Sequence, residues 1–138
     1  MIMNLEQYFL QTQGKGFLAT AAATGLVDVA VYSRPHVMDD QTVAFIMRDR
    51  LTHKYIQEND HAAYAFIEKG SGYRGIRLFL KKTGEDTDEE RIAQMSRRHL
   101  SPDEDAAKGP KFIVYFQVQK VLRLVGGEEL NPENLATG

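Results

Sequence analysis

The stretch GFLATAAATGLVDVAVYSRPHVMDDQTVAFIMRDRLTHKYIQENDHAAYAFI, Gly16 to Ile67, decides the fold. Phe17 to Ala23 is a run of small and apolar residues that reads as a strand, ended by the turn signal Thr24-Gly25. Val27, Val29 and Val31 then alternate with Asp28, Ala30 and Tyr32, the period of a half-buried strand that continues to Ser33 or Arg34, with Pro35 at its frayed end. Asp39-Asp40 marks the next turn, Thr42 to Met47 reads as a third strand, and Ala62 to Ile67 as a fourth. Residues 52–59 between them read as a short helix.

The start of that helix carries the chemistry. Four potentially cationic side chains, Arg48, Arg50, His53 and Lys54, fall within seven residues. Thr52 is a natural N-cap, which places His53 and Lys54 in the first helical turn. Positive charge there opposes the helix dipole, whose N-terminal end favours anions. Free backbone N–H groups, the dipole and a lysine together make a phosphate site. The alternative is a solvated basic turn.

Outward from this stretch, Asn4 and Gln7 form a capping-box pattern for an amphipathic helix over residues 4–13. Tyr73 to Lys82 reads as a fifth strand, and Thr87 with Glu90 as the capping box of a helix over 88–99. Residues 101–110 are polar and bounded by prolines, hence a loop. Phe112, Val114, Phe116 and Val118 alternate strictly in a sixth strand that can run to Val125. The domain is expected to occupy residues 1–125, with a loosely held polar tail over 126–138. The expected class is mainly β with flanking helices, an antiparallel, closed or nearly closed barrel of six strands.

The chain has 138 residues, 43% hydrophobic and 26% charged, which suits one soluble domain with a real core. It has no cysteine, which removes disulfides, thiol catalysis and thiolate metal sites and fits a reducing cytoplasm. The net charge of −2 argues against a dedicated nucleic-acid binder. No apolar stretch approaches a membrane span, and Met1 to Glu6 lacks the basic start of a signal peptide. His36, His53, His61 and His99 show no i,i+4 pair and no carboxylate in ligand spacing, so no metal site is expected. Arg91, Arg97 and Arg98 are offset by Asp88, Glu89 and Glu90, as on a solvated helix. No Ser–His–Asp order, paired-carboxylate motif or P-loop occurs, and no side chain reads as a catalytic acid or base.

The ordered set Ala19-Thr20, Gly25, Thr52-x-Lys54 and Asn59, followed by GSGYRGIRLFL over residues 70–80, resembles the FMN-binding split-barrel superfamily, the pyridoxamine-5'-phosphate-oxidase-like proteins. The resemblance implies a six-stranded split barrel of Greek-key type, usually a homodimer, with FMN at the subunit interface. By position it implies that Thr52, His53 and Lys54 hold the FMN phosphate with help from Arg48. Val31, Tyr32 and Ser33 would line the isoalloxazine, flanked by Ile46 and Met47. Tyr115 is an interface candidate. A cofactor would then do the chemistry while the protein supplies placement and electrostatics. The resemblance stops short of pyridoxamine-phosphate oxidation, because the tail Gly126-Gly127-Glu128-Glu129-Leu130 is acidic and lacks arginine. The expectation is an FMN-dependent oxidoreductase of unassigned substrate and electron donor. Its rivals are a barrel that binds nucleic-acid phosphates through Arg48, Arg50 and Lys54, and a haem-binding barrel.

Overall fold

The computed structural model describes residues 3–96 and 101–135. Arg97, Arg98, His99 and the last turn expected of the helix over 88–99 lie outside the described residues. The elements in chain order are α1 (Leu5–Gln11), β1 (Gly14–Ala21), β2 (Val27–Val31), β3 (His36–Asp39), β4 (Thr42–Arg48) and α2 (Leu51–Glu58). They continue as β5 (His61–Glu68), β6 (Gly75–Asp86), α3 (Glu89–Met95), α4 (Pro102–Ala107), β7 (Lys111–Arg123) and β8 (Glu129–Leu130).

The strands form one antiparallel sheet in the order β2-β1-β5-β6-β7-β4-β3, with β8 added to β7. This makes eight strands where six are expected from the sequence. The two additions are short and carry little period-2 signal: β3 follows Pro35 with two exposed residues, and β8 turns only Leu130 inward. Two long strands, β6 and β7, form the back of the sheet and pair with register shifts at Phe79/Leu80 and Lys82/Gly84. Such irregularities bend strands and raise their twist. The curl brings the two ends of the sheet together: the ring of Tyr32, just past β2, meets that of Phe45 on β4 edge-on at 5.7 Å.

Alternation decides what goes inside. Leu18 of β1, Phe45 and Met47 of β4, Tyr64 and Phe66 of β5, Leu78 and Leu80 of β6, and Val114 and Phe116 of β7 are buried together. Helix α1 adds Leu5, Tyr8 and Phe9 to this core, and its capping box of Asn4 and Gln7 forms as the spacing predicts. Helix α2 adds Ile56.

The other face of β2-β1-β5 is also apolar. Val31, Phe17 and Ala65 stand in register across it, as do Val29, Ala19 and Ala63. Val27, Val29 and Val31 are 66–79% exposed.

Four local expectations change. Helix α2 starts one residue earlier than expected, at Leu51 after Arg50, which offers no side-chain cap. Helix α3 is capped by Asp88 rather than Thr87, its carboxylate accepting from the N–H groups of Glu90 and Arg91. The expected loop 101–110 contains α4, capped by Ser101, whose hydroxyl accepts from the Glu104 N–H. The segment after Gly126 is held rather than loose up to Leu135. Leu130 and Leu135 are buried, and the Leu135 N–H donates to the Met3 carbonyl at 2.7 Å.

Candidate functional site

A cleft of about 570 Å³ opens where β2, β4 and α2 meet. Its first wall is Asp28, Ala30 and Val31 of β2, followed by Tyr32 and Ser33. Ile46 and Arg48 of β4 form the second, and Arg50, Leu51 and Thr52 the third. Six residues expected from the sequence therefore line one space: Val31, Tyr32, Ser33, Ile46, Arg48 and Thr52. The other three do not. Met47 points into the core, Lys54 sits exposed on α2 away from the lining, and His53 is buried behind the helix start.

Tyr32 is fixed by its backbone. Its N–H donates to the Gly16 carbonyl at 3.0 Å, and its carbonyl accepts from the Tyr64 hydroxyl at 3.1 Å. Gly16 is required for this approach: a Cβ there would land on the Tyr64 hydroxyl and lie 2.6 Å from the Tyr32 carbonyl oxygen. Burial raises the Tyr32 phenol above its usual range and the Asp28 charge adds to this, while a hydrogen bond with Thr52 and the charge of Arg50 act against it. Tyr32, Thr52, Asp28 and Arg50 thus gather at one end of the cleft. There Thr52 Oγ1 lies 3.1 Å from Asp28 Oδ2.

The helix start has no side-chain cap. The first helical bond runs from the Lys54 N–H to the Arg50 carbonyl, which leaves the N–H groups of Leu51, Thr52 and His53 without an intrahelical partner. Arg50 makes no side-chain hydrogen bond or ion pair among the described residues.

Arg48 is engaged elsewhere. Its Nη1 donates to the carbonyls of Asp105 (3.1 Å) and Gly109 (2.7 Å), and its Nη2 lies 2.7 Å from Asp105 Oδ1. Lys111 Nζ lies 2.7 Å from the same oxygen. The bonds from Lys111 and Arg48 hold the Asp105 carboxyl below the usual carboxylate range.

His53 has a structural setting. Its ring stacks on Phe112 at 4.0 Å and 12°, with Nε2 3.0 Å from Glu85 and Nδ1 3.3 Å from Asp49. Burial alone would raise the Glu85 carboxyl, but hydrogen bonds from Gln57 and His53 and the charge of Lys82 hold it low. No group of three or more His, Asp or Glu side chains among the described residues could hold a metal ion.

A second, smaller cavity of about 200 Å³ shares Tyr32, Ser33, Ile46 and Arg48 with the cleft. Arg34, His36, Lys108 and Lys111 also line it. Arg34 donates from Nη1 to the Phe9 and Thr12 carbonyls at the end of α1. The sequence reading did not single out Asp28, Lys108 or Lys111 for a site. In the sequence Asp28 shows only as a residue alternating with the valines of the second strand.

No protein-family model and no curated protein matches the sequence. Solved structures do match its shape. An FMN-binding protein from Syntrophomonas wolfei subsp. wolfei superposes with a TM-score of 0.71 at 15% identity, covering 91% of this chain and 86% of that one. A protein related to general stress protein 26 of B. subtilis, of the pyridoxinephosphate oxidase family, from Clostridium acetobutylicum, gives 0.63 at 7% identity and covers 91% of each chain. The chain shares its fold with these two proteins. HupZ of Group A Streptococcus shares it, with a TM-score of 0.66 at 16% identity over 91% of this chain and 95% of that one. At these identities the likeness is one of fold. Among the described residues no helix is long and apolar enough to cross a membrane.

Proposed function

We propose that this protein is an FMN-binding oxidoreductase that works as a homodimer on a small-molecule substrate or electron donor. The observation that carries the reading is the cleft at the uncapped start of α2, where Arg50 and Thr52 stand beside free backbone N–H groups. That is the donor set a phosphate monoester requires. The remaining wall, Val31, Tyr32, Ser33 and Ile46, is mostly apolar and suits a planar ring. The residues present therefore fit FMN, with Arg50 and the backbone of Leu51 and Thr52 at the phosphate. Asp28 works against the phosphate and sets a limit on its affinity.

FMN, when bound, supplies hydride or single-electron transfer. The chain supplies binding and orientation. The Tyr32 backbone, pinned by Gly16 and Tyr64, fixes one wall of the cleft. The raised Tyr32 phenol keeps its proton at neutral pH and remains a hydrogen-bond donor.

The dimer reading rests on the apolar outer face. Val31 belongs both to that face and to the rim of the cleft. A second copy covering Val27, Val29 and Val31 would close the cleft on its open side and remove exposed apolar surface from water. The Arg-free acidic tail continues to count against pyridoxamine-phosphate oxidation.

An absorption spectrum of the purified protein, taken before and after addition of FMN, tests the reading. Bands in the near-UV and blue, with flavin fluorescence quenched on titration, are expected. A Soret band would assign the barrel to haem instead, and no bound chromophore after reconstitution would end the flavin reading.

A further inference from the structure

The two cavities meet at Arg48, and among the described residues the smaller one is lined by Arg48, Lys108 and Lys111 and by no carboxylate. Arg48 and Lys111 are direct neighbours across β4 and β7. Their side chains are only 18% and 17% exposed. Lys108 joins them in the lining and makes no side-chain hydrogen bond or ion pair among the described residues. Two cations of low exposure thus share one carboxylate, Asp105, which meets Arg48 and Lys111 through the same oxygen, Oδ1.

The two sides of this contact differ in kind. Arg48 and Lys111 stand on paired strands of the main sheet, whereas Lys108 is the exposed C-cap of α4. The carboxylate comes from α4, a six-residue helix whose Asp103, Glu104, Ala106 and Ala107 are exposed. Half-buried cations are costly without a counter-charge, and a single carboxylate neutralises only one of them. A phosphate group carries up to two negative charges and three acceptor oxygens, and an arginine fork can take two of those oxygens at once.

We propose that Arg48 and Lys111 form a seat for a phosphate-type dianion on the ligand, and that Asp105 fills it as an internal stand-in which the ligand displaces. The proposal rests on the flavin reading only in calling that ligand a substrate; the seat itself needs no flavin. Displacement frees Asp105 and with it the grip on α4, so occupancy of the seat is coupled to release of this helix.

Inorganic phosphate titrated calorimetrically into the wild-type protein and into Asp105→Asn tests the seat. Removing the internal charge is expected to tighten phosphate by about tenfold or more, the worth of one charge-assisted contact. Adding Lys111→Gln to Asp105→Asn is expected to reverse that gain, and acetate is expected to bind more weakly than phosphate. Equal affinity in wild type and Asp105→Asn, no effect of Lys111→Gln, or acetate matching phosphate would each overturn the seat. A second measurement needs no variant: amide exchange over residues 103–109 of the wild type is expected to quicken in saturating phosphate, and unchanged or slower exchange overturns the displacement. Repeating the titration with saturating FMN separates the two readings. Phosphate binding of this pattern in a protein that takes no FMN keeps the seat and removes the flavin; FMN binding with no phosphate response does the reverse.

Discussion

Thr52 Oγ1 lies 3.1 Å from Asp28 Oδ2, tying the start of α2 to the edge strand β2. The hydroxyl that the helix would otherwise use as a cap has a tertiary partner, and a carboxylate stands where the proposed FMN phosphate approaches. Asp28→Asn keeps the shape and removes the repulsion. It is expected to tighten FMN by roughly three- to tenfold, read by quenching of flavin fluorescence. Weaker binding would mean that the phosphate lies elsewhere.

Arg50 and Lys54 separate the cleft from the bare sequence motif. Arg50 lines the cleft, whereas Lys54 is exposed on α2 outside it. Arg50→Ala is expected to weaken FMN by about tenfold or more, the loss of a charge-assisted hydrogen bond. Lys54→Ala is expected to change affinity by no more than about twofold, as for a distant, screened surface charge. The reverse order in a titration would place the phosphate on the far side of the helix start.

Val29 is the middle residue of the exposed stripe on β2, 66% exposed and opposite Ala19. Val29→Lys is expected to leave the monomer folded, since the side chain takes no part in the core. It is also expected to convert the dimer to monomer in light scattering and to lower FMN affinity. A wild-type protein that is already monomeric at micromolar concentration would refute the dimer.

Gly16→Ala forces a Cβ onto the Tyr64 hydroxyl and against the Tyr32 carbonyl. Tyr64 is fully buried and has little room to move. The substitution is expected to cost about 2 kcal/mol in urea unfolding. It is also expected to loosen FMN, because it breaks the bond that holds Tyr32 in place. Full stability in the variant would show that the strand can shift without cost.

Two phenols set the alkaline limit. Tyr8 donates to Glu68 at 2.6 Å, and burial, reinforced by that carboxylate, pushes its pKa well above the usual tyrosine range. Burial raises Tyr32 as well. In both cases the unfolded chain loses the proton first, so the folded state binds more protons and stability declines with pH. Stability from these groups is complete below about pH 10, the ordinary tyrosine value, and is lost as pH rises from there towards the raised folded values. Urea midpoints measured from pH 9 to 11 are expected to fall, with a shallower slope in Tyr8→Phe. A slope unchanged by Tyr8→Phe would remove Tyr8 as a cause.

The long strands and the first two helices were legible because each carries its own periodicity or cap. Val27, Val29 and Val31 predict a strand by alternation alone, and Asn4 with Gln7 predicts the start of α1. The same alternation could not say which face is the core: both faces of β2-β1-β5 are apolar, and only the curl of the sheet buries Leu18 and leaves Val29 outside. β3, β8 and α4 were missed because they are too short to show a period, although Ser101 with Glu104 was a readable capping signal for α4.

The candidate site divides in the same way. By itself the sequence determined that strand residues 31–33, the end of the strand at Ile46 and a basic helix start lie close in chain order, because local propensity and turn chemistry act over a few residues. Only the tertiary structure decided which side chains face the cleft. His53 stacks on Phe112 and pairs with Glu85, Arg48 reaches Asp105, and Thr52 bonds Asp28, all contacts between residues 24 or more positions apart. Such contacts arise from packing strands that are distant in sequence. That is why a run of four neighbouring cations resolves into His53 in a buried cluster, Arg48 at the cleft but tied to Asp105, Arg50 at the cleft with no such partner among the described residues, and Lys54 in solvent.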